Sequence, residues 1–290
     1  MRVILPLFFA LLLLLLDPSK AHAWGPVMHL QVGLDILRQA DLLHHSLRML
    51  LESFPYDFLY GCIGADIIFA KGLARLHEHS HNWSVGRSVL DEASSPPQQA
   101  FAYGYLSHLA ADTVAHNHFI PECLVRAYPA RTLRHVYWEV RFDELLNRDL
   151  WTLAREIART APVEEDELIE RVVKRTLFSF KTDKRIFAWI LVLHRMDYWH
   201  RLLQTLSDRS VWKFDPEDLR AYREFSLHAA MDFLMCQESA SCLQKDPIGR
   251  AELKRAKRAR LVLRTLERKG QLQPFMVEQV LRSVQPPPRP

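Results

Sequence analysis

The sequence predicts an all-α protein, and three observations carry that prediction. Apolar residues recur at helical spacing through most of the chain, alternating strand patterns are nearly absent, and only 9 of the 290 residues are glycine. The recurrence marks helices over 30–52, 56–74, 84–94, 99–117, 131–149, 151–160, 164–180, 183–206 and 216–236, so a single domain of about nine or ten helices is expected.

The first 23 residues stand apart from this domain. Arg2 precedes an apolar run, Val3 to Leu16, and then Ala21-His22-Ala23, a small-residue cleavage site. This is the pattern of a secretory signal peptide cut between Ala23 and Trp24. The run is short of the roughly 20 apolar residues that a spanning helix needs. A secreted or periplasmic protein beginning at Trp24 is therefore expected.

The helical domain is expected over 24–283. Pro96-Pro97 breaks the chain before the 99–117 helix, and Pro162-Val163-Glu164-Glu165 and Asp215-Pro216-Glu217-Asp218 read as helix starts. Residues 248–268 form a basic amphipathic stretch. Such a stretch suits an anionic membrane surface, but a solvated helix laying its Leu/Val/Ala stripe on the domain is the favoured reading. A Pro-rich tail, 284–290, is expected to be disordered.

Lys and Arg number 38 against 34 Asp and Glu, a net charge of +4 that selects no partner. The four cysteines, Cys62, Cys123, Cys236 and Cys242, form no CxxC pair, which argues against a structural zinc–thiolate site. In an oxidising compartment, Cys236 and Cys242 are expected to close a short disulfide loop. There is no G-x-S-x-G elbow and no P-loop, so serine-hydrolase and P-loop nucleotide chemistry have no support.

The histidines are unevenly spread, with ten of the 14 lying between His29 and His135. In GYLSHLAADTVAHNHF, residues 104–119, His108, Asp112 and His116 are four apart and share one face of a helix. His135 and Glu139 repeat the four-residue step in HVYWE. Trp24 to His29 (WGPVMH), Asp66 within YGCIGADII, and His77, His79 and His81 within HEHSHNW complete the set. His44-His45 reads as solvated loop.

Imidazole nitrogen and carboxylate oxygen are the usual zinc ligands where thiolate is absent. A helical i, i+4 pair aims two of them at one point from a rigid element. Asp112 sits between two histidines, and its two oxygens suit a bridge between metals about 3.5–4 Å apart, the arrangement that clamps a phosphoryl group. Each cluster alone is more often structural; their joint occurrence on apolar helices points to metal.

The ordered set resembles the zinc-dependent phospholipase C family, the phosphatidylcholine-hydrolysing type found in bacteria, over roughly 24–145. The resemblance implies an all-helical fold holding three zinc ions. The first would be held by the amine and carbonyl of Trp24, His29 and Asp112, and the second by Asp66, His81, His108 and Asp112. The third would take His135, Glu139 and either His116, which keeps the helical step, or His118, which keeps the wider spacing of the typical phospholipases. Asp66 is implied as general base. His81 is preferred over His79 and His77 because it directly precedes Asn82-Trp83. The implied partner is a phospholipid at a membrane surface, contacted peripherally by a monomer, with no nucleic acid.

Two rivals stand beside this. The related single-strand zinc nucleases share the short spacing from Trp24 to His29, but they close the third site with HxxxD where this chain has Glu139. A non-catalytic metal- or lipid-binding module would carry the same ligand set.

Overall fold

Proline sets many of the helix starts. Pro26, Pro55, Pro96, Pro216 and Pro274 each stand in the first turn of a helix, where the missing N–H costs nothing. The computed structural model describes residues 24–68, 79–129, 142–143, 145–173, 179–195 and 215–285. Among these residues all regular structure is helical. In chain order the helices are α1 (Pro26–Arg38), α2 (His45–Ser53), α3 (Pro55–Ile67), α4 (Trp83–Asp91), α5 (Pro96–Val114), α6 (Ile120–Arg126), α7 (Asp149–Thr160), α8 (Val163–Val172), α9 (Phe180–Arg195), α10 (Pro216–Cys236), α11 (Arg250–Arg268) and α12 (Pro274–Val284).

Several expected boundaries shift. The single helix over 30–52 is two, because a 3₁₀ turn at Ala40–Leu42 redirects the chain between α1 and α2. His44 and His45 are exposed, as N-cap and first residue of α2. The 164–180 segment ends at Val172, and most of 131–149 lies outside the described residues. α12 has no counterpart in the periodicity reading. It also moves the tail: Val284, placed at the tail's first residue, is helical and buried, while 286–290 lie outside the described residues.

α3 and α5 form the central pair. Gly61 and Gly104 face each other where they cross. A Cβ on Gly61 would lie 2.0 Å from the Phe101 carbonyl oxygen, and one on Gly104 would lie 2.0 Å from that of Phe58. Real Cβ atoms do not approach backbone so closely, so glycine alone permits this crossing. Its consequence is functional, since α3 carries Asp66 and α5 carries His108 and Asp112.

α1 and α10 pack on the other sides of α5, while α7 lies against α1 and α3, and α9 against α3 and α7. Trp24 is fully buried in a box of aromatic rings. Its ring centroid is 4.5 Å from Phe142, 4.6 Å from Phe119 and 6.3 Å from Tyr222. Its indole N–H donates to the Ala111 carbonyl at 3.2 Å, one residue before Asp112.

The C-terminal helices belong to the same domain. α11 buries Leu253, Ala256 and Leu263 and packs on α6, as does α12. Gly249, at φ +62°, starts α11 with its Cα against the His116 backbone. The four cysteines are free thiols; the expected Cys236–Cys242 bridge is not formed. Cys236 is exposed at the end of α10, while Cys242 turns into the core in the 3₁₀ turn at Ser241–Gln244, whose start is held by Asp232 accepting from Ser241 N and Oγ at 2.8 Å. Among the described residues no helix is long and apolar enough to cross a membrane.

Candidate metal centre

Five side chains from four elements converge in the core. α1 supplies His29, the end of α3 supplies Asp66, the loop before α4 supplies His81, and α5 supplies His108 and Asp112. All five are buried.

Asp112 is the hub. Its Oδ1 lies 3.2 Å from His29 Nε2, and its Oδ2 lies 3.4 Å from both His108 Nε2 and His81 Nε2. His81 Nε2 is also 3.2 Å from Asp66 Oδ1 and 3.1 Å from His108 Nε2. The rings of His29 and His108 stack with centroids 3.6 Å apart. Two overlapping groups have the spacing to hold an ion, His29–Asp66–His108 and His81–His108–Asp112.

The surrounding hydrogen bonds fix which ring nitrogens face inward. His108 Nδ1 is 2.8 Å from the Cys62 carbonyl, which can only accept, so that nitrogen carries the proton and Nε2 offers a lone pair. Ser80 Oγ donates to the Ala65 carbonyl at 3.3 Å, so His81 Nδ1–H donates to Ser80 Oγ at 3.1 Å, and again Nε2 faces the site. Lone pairs of imidazole and carboxylate thus converge without hydrogens between them. Among the described residues, neither oxygen of Asp112 and neither ring nitrogen of His29 receives or makes a hydrogen bond of good geometry. Buried acceptors so arranged are costly unless a cation sits among them. The donor set therefore fits zinc.

Electrostatics agree. Burial pushes the Asp112 carboxyl up, but the imidazoles of His108 and His29 outweigh it and hold the group well below the usual range. Burial, then His108, lowers His29. Burial also opposes the charged form of His108, yet Asp112 and Asp66 prevail and raise it.

The loop histidine brought to this cluster is His81. His79 stands behind it, accepting from the His81 backbone N–H at 3.1 Å, and His77 lies outside the described residues. Tyr105 of α5 ties the loop down by donating to the Ser80 carbonyl at 2.5 Å.

The step from Asp112 to His116 is not a regular helical one. Residues Ala115–Phe119 form a π-helical turn. Among the described residues, His116 is not in the groups spaced to hold an ion. His116 is fully buried and its Nδ1–H donates to the Pro247 carbonyl. His118 turns toward the C-terminal segment, donating from Nδ1 to the Val284 carbonyl at 3.2 Å and accepting from Lys245 Nζ at 3.0 Å. His135 and Glu139 lie outside the described residues.

Asp143 has a role that spacing did not signal. Its carboxylate accepts from the N–H groups of Val27 at 3.1 Å and Met28 at 3.2 Å, capping the start of α1 and so fixing His29. Gly25 is required there, since a Cβ would meet Asp143 Oδ2 at 2.1 Å.

The described residues thus form an all-helical domain enclosing a buried cluster of imidazoles and carboxylates that could hold a metal ion. The sequence matches the zinc dependent phospholipase C family over residues 28–195, more than half of the chain, and the chain belongs to that family. The family implies zinc-dependent phospholipase C-type hydrolysis and Zn²⁺ as the metal. No curated protein and no solved structure gives a match.

Proposed function

We propose that the protein is an exported zinc phosphodiesterase that hydrolyses the phosphodiester of a phospholipid, releasing diacylglycerol. The observation that carries this reading is Asp112, whose two oxygens face separate sets of imidazoles. Trp24 and His29 would lie on one side, with Asp66, His81 and His108 on the other. His116, His135 and Glu139 would hold a third ion. Zinc held by these residues would supply Lewis-acid polarisation of the phosphate and a more acidic water.

The chain's own residues do the rest. Asp66, at the end of α3 with Oδ1 3.2 Å from His81 Nε2, takes the proton of the attacking water. The Nδ1 bonds to Cys62 and Ser80 hold His108 and His81 in the ligating tautomer through turnover. The Trp24 indole, pinned to Ala111 O, keeps residue 24 close to Asp112. Only a chain cut after Ala23 would offer the Trp24 amine, and a free α-amine is readily neutral enough to ligate near neutral pH.

Elemental analysis of two preparations tests this. One is exported and begins at Trp24; the other is cytosolic and carries a methionine before Trp24. About three zinc in the first, about one fewer in the second, and phosphatidylcholine turnover by the first alone are expected. Equal zinc in both would remove Trp24 from the ligand set. Absence of tight zinc, or full zinc with no phosphodiester cleaved, would overturn the enzyme.

A further inference from the structure

α11 lies beyond residues 28–195, so the family match does not account for it. One side of the helix is buried against the domain through Leu253, Ala256 and Leu263. The helical repeat sets the opposite side. It carries Lys254, Arg255, Arg258 and Arg268, followed by Lys269 at the C-cap, with Leu261 and Val262 among them, all exposed. Leu261 and Val262 are 65% and 56% exposed. Both acidic residues of the helix, Glu252 and Glu267, lie off that side.

This is not the pattern of a merely solvated helix. Some exposed arginines elsewhere are matched on their own helices, as in Arg48–Glu52 at 2.7 Å and Arg282–Glu278 at 2.6 Å. On the outer side of α11, only Arg255 has an ion-pair partner among the described residues, Glu252 at 3.0 Å. Two branched aliphatic side chains set in water amid unmatched cations gain nothing from packing. They gain from a surface that is anionic outside and apolar beneath. There, lysine and arginine heads meet lipid phosphates while their stems and the aliphatic pair enter the acyl boundary.

We propose that α11 is a membrane-docking element that seats the protein on bilayers containing anionic phospholipid. The proposal deepens the phospholipase reading by stating how the protein reaches its substrate. The placement suits that use, because the helix begins at Gly249, packed on the His116 backbone. Docking α11 therefore fixes the His116 end of the site relative to the bilayer.

The test is sedimentation of the zinc-loaded protein beginning at Trp24 with vesicles of phosphatidylcholine alone or with added phosphatidylglycerol, at low and high salt. The wild type is expected to partition more strongly onto the anionic vesicles, and high salt should weaken that preference. Each basic residue removed should weaken binding roughly fivefold. The pair Lys254→Glu and Arg258→Glu should thus lose well over tenfold, and Leu261→Ser with Val262→Ser should weaken binding to both vesicle types. Zinc content and melting temperature equal to wild type establish that the variants are folded.

Equal partition onto neutral and anionic vesicles, insensitive to salt, would overturn the proposal on the wild type alone. So would unchanged binding by both variants, or tight binding of RNA without vesicle binding. Binding is read without turnover. Normal docking by a protein that cleaves no phosphodiester would support α11 and count only against the enzyme.

Discussion

Substituting Gly104 by alanine separates packing from helix propensity, because the two predict opposite signs. Propensity alone favours the change by about 1 kcal/mol, since alanine is the better helix former. Packing opposes it. The new methyl would lie 2.0 Å from the Phe58 carbonyl oxygen, 2.9 Å from Cys62 N and 3.0 Å from the Gly61 Cα. All three are backbone atoms of α3, so no side chain can rotate away. Relief requires the helices to part by on the order of 1 Å, and overpacking of this kind costs about 1–3 kcal/mol or more. We expect a net loss on the order of 2 kcal/mol in urea unfolding of the metal-free protein.

The same displacement reaches the site, because α3 carries Asp66 and the Cys62 carbonyl that orients His108. Zinc affinity measured by competition with a chromophoric chelator should therefore fall as well. Gly61→Ala should behave alike, its Cβ being 2.0 Å from Phe101 O. An alanine variant as stable as the wild type, or more so, would refute the reasoning about the crossing. A destabilised variant with unchanged zinc affinity would refute the link to the site.

His116→Ala should lower zinc content, whereas His118→Ala should leave it unchanged, because both ring nitrogens of His118 are engaged by Val284 and Lys245; loss of zinc from the His118 variant alone would reverse the assignment. Glu165, buried in the first turn of α8, has its carboxyl pushed up to about 7 by burial, with the Asp57, Glu164 and Asp166 carboxylates adding to it. Its folded pKa lies above the unfolded value, so the folded state binds the proton more tightly. Stability should therefore fall as pH rises through the window from about 4.5 to 7, by on the order of 2 kcal/mol after allowing for partial screening. Glu165→Gln should flatten that slope in thermal melts taken across this range; an unchanged slope would place the titration elsewhere.

Much of the site was legible because it follows local rules. The 3.6-residue repeat gave the helices, and a helical step of four puts His108 and Asp112 on one face wherever the helix is placed. Histidine and carboxylate types announced metal chemistry because few other environments justify burying them. Proline and the Asp215 side chain, which accepts from Glu217 N at 2.9 Å, marked helix starts through backbone donors alone. The basic stretch at 248–268 showed its charge, but of the apolar residues of α11 only Leu253, Ala256 and Leu263 are buried against the domain, while Leu261 and Val262 face solvent.

Other features depend on atoms distant in sequence. The extra residue of the π turn at Ala115–Phe119 left no mark in the hydrophobic period, yet it decides where His116 and His118 turn. No spacing rule links Asp143 to the first turn of α1. The tight crossing at Gly61 and Gly104 becomes visible only when both helices are seen, since a glycine in a helix is by itself only a cost. Nor could the sequence choose among the histidines of the 77–81 loop on more than an adjacent aromatic, whereas Tyr105 and Ser80 bring His81 to the carboxylates. The sequence by itself determined the helices, the ligand types and the charge of α11, because propensity, side-chain chemistry and charge are local properties. Only the tertiary structure decided which lone pairs converge and which side of α11 meets solvent, because these depend on how close two backbones can come.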